Sequence, residues 1–212
     1  MNRKFISKSN RILRKILNSK DNLDIVQNFI ESLLKIKIKE IQLNPYLEKK
    51  AKYLPEEENF GIVDVRIKLL DNEELNIGIQ FIDGYYIQNK MLLYYAQIHS
   101  NQLEYDDKRK IAKTVTINLL DFNYFDSKEY HKKIVVKPNE EEGIVDNNIE
   151  LHVFELPKFK NSNTNKINQE EAWMTYLYGG KDSSFNMVIE KFDKINKLDR
   201  LLSEYWENEK ME

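Results

Sequence analysis

The sequence predicts an α/β (α+β) fold, a central mixed β-sheet flanked by helices, and three stretches predict it. Phe60 to Ile82 carries the clearest two-residue alternation in the chain. Tyr85 to Leu103 then runs without Gly or Pro and places Ile87, Met91, Tyr94, Tyr95 and Ile98 on a helical stripe. Lys113 to Leu120 alternates again, setting Val115, Ile117 and Leu119 against Thr114, Thr116 and Asn118.

The composition allows one soluble domain with a substantial core. The chain has 212 residues, 41% of them hydrophobic and 32% charged, and neither a repeat nor a low-complexity linker divides it. No apolar run approaches the roughly 20 residues of a membrane span. With no cysteine, disulfides and thiolate metal sites are excluded, which fits a reducing, cytoplasmic setting. A net charge of −2 gives no overall attraction to nucleic acid. The first twenty residues, however, hold Arg3, Lys4, Lys8, Arg11, Arg14, Lys15 and Lys20 and no acid, an arm suited to tracking phosphates or a basic helix face in solvent.

Ile12, Leu13, Ile16 and Leu17 predict a short helix, and Leu23, Val26, Ile30, Leu33 and Leu34 a second, with Ser19 or Asp21 as its N-cap. Ile36 to Leu43 alternates with a slip of phase at Glu40, which reads as a strand. A polar connection with two prolines leads to the hairpin. In its first strand Val63, Val65, Ile67 and Leu69 oppose Asp64, Arg66 and Lys68; in its second, Leu75, Ile77, Ile79 and Phe81 oppose Asn76, Gly78 and Gln80. Only even-to-even pairing keeps both apolar rows on one face. The register that sets Asp64 opposite Gln80 leaves a three-residue turn, Asp71 to Glu73, and gathers Asp64, Arg66, Gly78 and Gln80 on one polar face. That face is either the solvated side of an edge hairpin or a site. Gly78 in mid-strand is unexpected on both readings, because Gly there usually marks a bulge or a close backbone approach.

Beyond Leu120, the stretches around His131 and from Ile149 to Leu156 predict two further strands across an acidic loop holding Glu140, Glu141 and Glu142. Asn168 with Glu171 three residues on is a capping-box pattern, and Gly179 closes that helix. One final helix follows, with Val188, Phe192, Ile195, Leu198, Leu202 and Tyr205 as an apolar face for the body or for a second subunit. His99, His131 and His152 lack metal-ligand spacing. Gly-rich phosphate loops and nucleophile elbows are absent.

An Asp on one strand followed by Glu-x-Gln on the next is the signature that the hairpin resembles, that of the transposase-associated, recombination-promoting branch of the PD-(D/E)XK nucleases. Asp64 takes the place of the family's Asp and Gln80 that of its Gln, while Gly78 stands where the family has its metal-binding Glu. The resemblance runs from Ser9 to Leu177. SNRILRKIL resembles the opening helix, with Asn10 at its acidic position, and NFIESLL the next helix. Lys90 and Tyr94 match an Arg-x-x-x-Tyr pattern, and Glu155, Leu156, Pro157 and Lys158 match the family's closing Glu-Leu-x-Lys.

The resemblance implies a restriction-endonuclease-like core over residues 1–180, with an appended C-terminal helix over 181–212. It also implies DNA as partner, Mg²⁺ held by Asp64, Gln80 orienting the nucleophile and Lys90 meeting a phosphate, while the charge of the N-terminal arm adds Arg11, Arg14 and Lys15 as DNA-binding candidates. Three functions follow. The first is a degenerate nuclease fold with cleavage lost or reduced, retained for DNA or protein binding. The second is an active Mg²⁺-dependent endonuclease in which Glu31 or Glu74 supplies the missing acid. The third is a non-enzymatic interaction protein dimerising through its last helix. Because a side chain would replace a flexible Gly, Gly78→Glu is expected to be accepted by the strand.

Overall fold

The computed structural model describes residues 12–44, 63–82, 86–102, 111–135, 149–159, 167–179 and 183–208. In chain order these form helix α1 (residues 12–17), a 3-10 turn (Lys20–Asn22), α2 (Leu23–Leu34) and strand β1 (Ile38–Leu43). The hairpin β2 (Val63–Leu69) and β3 (Glu74–Ile82), helix α3 (Ile87–Asn101), and strands β4 (Lys113–Leu120), β5 (His131–Val135) and β6 (Ile149–Glu155) follow. Helices α4 (Gln169–Tyr178), α5 (Ser183–Lys191) and α6 (Asp193–Asn208) close the order. Asn10, Arg11 and the acidic loop at 140–142 lie outside the described residues.

The six strands form one mixed sheet in the order β1-β2-β3-β4-β6-β5. β1, β2 and β3 are antiparallel, β3, β4 and β6 are parallel, and β5 returns antiparallel on the far edge. The mixed sheet between helical layers is the architecture that the nuclease resemblance implies. The slip of phase at Glu40 is a β-bulge: Ile38 pairs with Leu69 and Glu40 with Lys68, so Lys39 is the extra residue.

The hairpin register differs from the expected one by a single pair. Asp64 lies opposite Gly78 rather than Gln80, and the three-residue turn is Leu70 to Asn72. Its geometry explains the choice. The amide of Asn72 donates to the Leu69 carbonyl at 3.0 Å, that of Leu69 to Glu73 at 2.9 Å, and Asn72 takes φ 70°. A three-residue hairpin loop needs a left-handed residue in its third place. Asn tolerates that conformation; a turn shifted by one would force it on Glu73.

The two faces of the sheet are covered differently. Val63, Val65, Ile67, Ile77, Ile79, Val115 and Ile117 join Ile16, Ile30, Trp173, Ile195 and Leu198 in one continuous apolar core, so α1, α2, α4, α5 and α6 all lie on this side. The last apolar repeat is two helices rather than one, broken at Phe192 between α5 and α6. Both dock on the body: Ile195 and Leu198 are buried, and Lys194 and Lys197 reach Asp24 at 2.7 and 2.8 Å. The capping box forms as its spacing implies, with Asn168 and Glu171 bonding each other's backbone at 3.0 and 2.8 Å. Ser19 caps the 3-10 turn instead of α2, through Asp21 N–H at 3.3 Å.

The opposite face carries the polar row, and it is not solvated. The hairpin is also not an edge, since β1 flanks β2 and β4 flanks β3. Helix α3 lies over this face, where Ile87 and Met91 pack on Ile82, Leu120 and Val153. Asp64, Asn76, Gln80, Thr114, Thr116 and Asn118 are therefore all buried.

Candidate functional site

Strand alternation and register together decide which side chains meet under α3. Asp64 on β2 faces Gly78 on β3, which faces Thr116 on β4. One pair further along β3, Gln80 aligns with Asn118. Gln80 lies on the diagonal from Asp64, about 7–8 Å away between backbones.

Buried polar groups must be hydrogen-bonded, and here they bond one another. Asn44, at the end of β1, donates from Nδ2 to Asp64 Oδ1 and to Asn76 Oδ1, both at 2.5 Å. Asn76 in turn donates to the Ile98 carbonyl at 3.0 Å and so caps the last turn of α3. Gln80 donates from Nε2 to Asn118 Oδ1 at 2.5 Å, and Asn118 donates to Thr116 Oγ1 and to the His152 carbonyl, each at 3.0 Å. The amide of Gln80 is thus engaged with Asn118 and is not aimed at Asp64.

Gly78 owes its identity to α3. A Cβ built on it would stand 2.7 Å from Ile98 Cδ1, 2.7 Å from the Tyr94 hydroxyl and 2.9 Å from Tyr94 Cε1. Tyr94 is held there by donating to the Val63 carbonyl at 3.2 Å and the Ile79 carbonyl at 3.3 Å. The expectation that Glu would be accepted at position 78 is corrected by this packing: the space a side chain needs is filled by Tyr94 and Ile98. The unusual mid-strand Gly is a close-approach Gly.

The electrostatics follow from burial. Asp64 is 3% exposed, and removal from water pushes its carboxyl well above the usual carboxylate range, against the partial opposition of the Asn44 hydrogen bond. Burial likewise raises the Tyr94 phenol, the nearby Asp64 raises it further, and Arg14 works against both. Arg14 is therefore half-buried and close to this centre, whereas Lys15, the next residue of α1, is exposed.

Sequence-derived candidates for a second acid stand elsewhere. Glu31 accepts from the Ile38 amide at 2.8 Å, joining α2 to the start of β1. Ile38 pairs with Leu69, five residues from Asp64 along β2, or about 17 Å. Glu74 accepts from Arg66 Nη2 and Nε at 2.6 and 3.1 Å. It lies four residues from Gly78, about 13 Å along the strand, beside a polar groove of about 430 Å³ that also borders Glu40 and Lys68. Lys90 lies one helical turn before Tyr94 and is half-buried. Among the described residues no three His, Asp or Glu side chains converge as a metal site.

Mg²⁺ takes near-octahedral oxygen ligands at roughly 2.0–2.1 Å, commonly one or two carboxylates with waters. Here Asp64 is closed off from water, its Oδ1 is taken by Asn44, and position 78 has neither a side chain nor room for one. The residues present do not fit a resident divalent cation.

A second cluster escaped the sequence. His131 and His152, 21 residues apart in the chain, meet across β5 and β6, with His131 Nε2 and His152 Nδ1 2.9 Å apart. His152 Nε2 is 2.7 Å from Glu150 Oε1. The closing Glu-Leu-x-Lys stretch is a clamp: Glu155, 1% exposed, accepts from the Tyr124 and Phe125 amides and from Lys158 Nζ at 2.7 Å, and Lys158 also donates to the Phe125 carbonyl. An i,i+3 Glu and Lys in one sequence motif could have suggested that pair; the loop they hold could not be foreseen.

Against known proteins, a family model described as PD-(D/E)XK nuclease family transposase matches residues 12–212. No curated protein and no solved structure matches the chain. Among the described residues no helix is long and apolar enough to cross a membrane.

Proposed function

The chain belongs to the PD-(D/E)XK nuclease family of transposases, and from that premise we propose that it is a degenerate member, with the nuclease sheet kept, cleavage lost or strongly reduced, and DNA binding retained. The observation that carries this reading is the filled space at Gly78. In nucleases of this kind two acids hold the metal that activates water and stabilises charge on the phosphoryl group, and losing one weakens that site. This chain has one, and its carboxyl is drawn toward the neutral form by burial. Gln80, bonded to Asn118, stabilises the sheet rather than a nucleophile.

On this reading DNA is met from outside the buried site, through the basic N-terminal arm, in which Lys15 is exposed, and through Lys90 on α3. Arg14, half-buried, belongs to the same arm, and its charge also reaches Tyr94. The experiment is a plasmid-nicking assay with Mg²⁺ or Mn²⁺ alongside a salt titration of duplex binding. Expected are little nicking and a salt slope that shallows by about 0.9 in Lys15→Ala. Robust nicking abolished by Asp64→Ala would overturn the reading in favour of an active endonuclease. A failure to bind duplex at low salt would favour a protein partner.

A further inference from the structure

The cluster on β5 and β6 lies on the opposite face of the sheet from the polar centre under α3, the face that bears the apolar core. Its hydrogen bonds have a direction that chemistry fixes. Glu150 Oε2 takes Lys113 Nζ at 2.7 Å and Oε1 takes Lys133 Nζ at 2.8 Å. Burial alone would raise this carboxyl, but the two lysines and His152 overcome that and hold it down at about 2. Glu150 is thus an acceptor only, and His152 Nε2 must carry a proton to reach it. In a neutral His152 the Nδ1 atom is then a lone pair, so His131 Nε2 donates to it. Proton by proton, the closed pair has room for one N–H between its rings. A single added proton is accommodated on the outer nitrogen of His131, while a second would set two N–H groups against each other at 2.9 Å.

The surroundings make that second proton costly. Besides Glu150, the groups facing the pair are Lys113 on β4, Lys133 on β5, Glu170 on α4 and Lys35 after α2. Glu170 is already engaged by Lys35 at 2.5 Å and by the Tyr130 hydroxyl at 2.7 Å. Burial and the lysines hold both imidazoles below their usual range. Among the described residues β5 is the outermost strand, five residues long, with every side chain at least partly exposed, and it pairs with β6 alone. His131 further stacks on Phe154, ring centres 4.1 Å apart.

We infer that His131, His152 and Glu150 form an acid-sensitive latch, which holds edge strand β5 against β6 while the two imidazoles share one N–H and releases it when both are protonated. The open strand binds at least one proton more than the closed one below the usual histidine range, so opening grows at least tenfold per pH unit there.

Amide hydrogen exchange of the full chain, corrected for intrinsic rates, tests the latch. Between pH 6 and pH 5, protection at His131 to Val135 is expected to fall at least tenfold, with amides of β3 and β4 changing less than twofold. His152→Gln should make the fall shallower than in the wild type, because its amide donates to Glu150 and accepts from His131 without titrating, which leaves only the buried His131 to respond. An unchanged wild type, or a His152→Gln variant as steep as the wild type, would overturn the inference. A readout on the wild type alone is a ring-nitrogen NMR titration. The pair is expected to take up fewer than two protons while β5 stays protected, and two full titrations with β5 protected would overturn the latch.

Discussion

Two of the buried carboxylates on the sheet, Asp64 and Glu150, are treated in opposite ways. Asp64, 3% exposed, is met by the amide of Asn44, and burial carries its carboxyl upward. Glu150, 8% exposed, is met by Lys113, Lys133 and His152, and is held down at about 2. The difference is in the partners: a neutral amide donor offsets part of the desolvation of a charge, whereas cations reverse it. A metal-dependent nuclease needs an ionised acid at the position of Asp64. The environment there raises that carboxyl, whereas the carboxyl held low is the one that binds Lys113, Lys133 and His152.

Adding a carboxylate beside Asp64 breaks the comparison hardest. Gly78→Glu forces a side chain into the space of Tyr94 and Ile98 and buries a charge beside Asp64, at a cost of about 3–5 kcal/mol. Denaturant unfolding would measure it, and a variant as stable as its parent would refute the packing account of Gly78. Next in size, Glu150→Gln leaves Lys113, Lys133 and His152 without their anion. A loss of about 2–3 kcal/mol at pH 7 is expected. Because the folded carboxyl lies below its unfolded value of 4.5, this contribution is present above that pH and fades as pH falls toward about 2. Stability curves of parent and variant should therefore converge in strong acid.

The smallest effect has the opposite sign and sharpens the contrast. The folded Asp64 carboxyl lies above its unfolded value of 3.8, so folding favours the protonated form. Its contribution is intact below that pH and lost as pH rises through the folded value. Asp64→Asn is accordingly expected to stabilise the protein more at pH 8 than near pH 3.5. Thermal melts across that range would show it; a variant destabilised at pH 8 would mean that Asp64 is held as an ion.

The features legible in the sequence depend on neighbours in the chain. Strand alternation in β2, β3 and β4 follows from the period of the backbone, the bulge at Lys39 from a broken phase, and the Asn168 cap from a three-residue spacing. The fold class and the pairing of even positions with even were decided there, as was the presence of Asp64, Gly78 and Gln80 on one face. Other features depend on residues that meet only after folding. α3 turns the polar row into a dry interior and fills the space at Gly78, because Tyr94 finds acceptors on two strands. Asn72 moves the register by one pair, since the left-handed place in a three-residue turn suits Asn better than Glu. The final helix breaks at Phe192, for which local pattern gave no sign. The two histidines of the latch meet because β5 pairs with β6 across a connection of 13 residues, numbers 136 to 148, and no spacing along the chain encodes that encounter. Local sequence set which groups each strand offers, and packing decided which of them are solvated, neutral or charged, because desolvation and charge pairing exist only between surfaces already brought together.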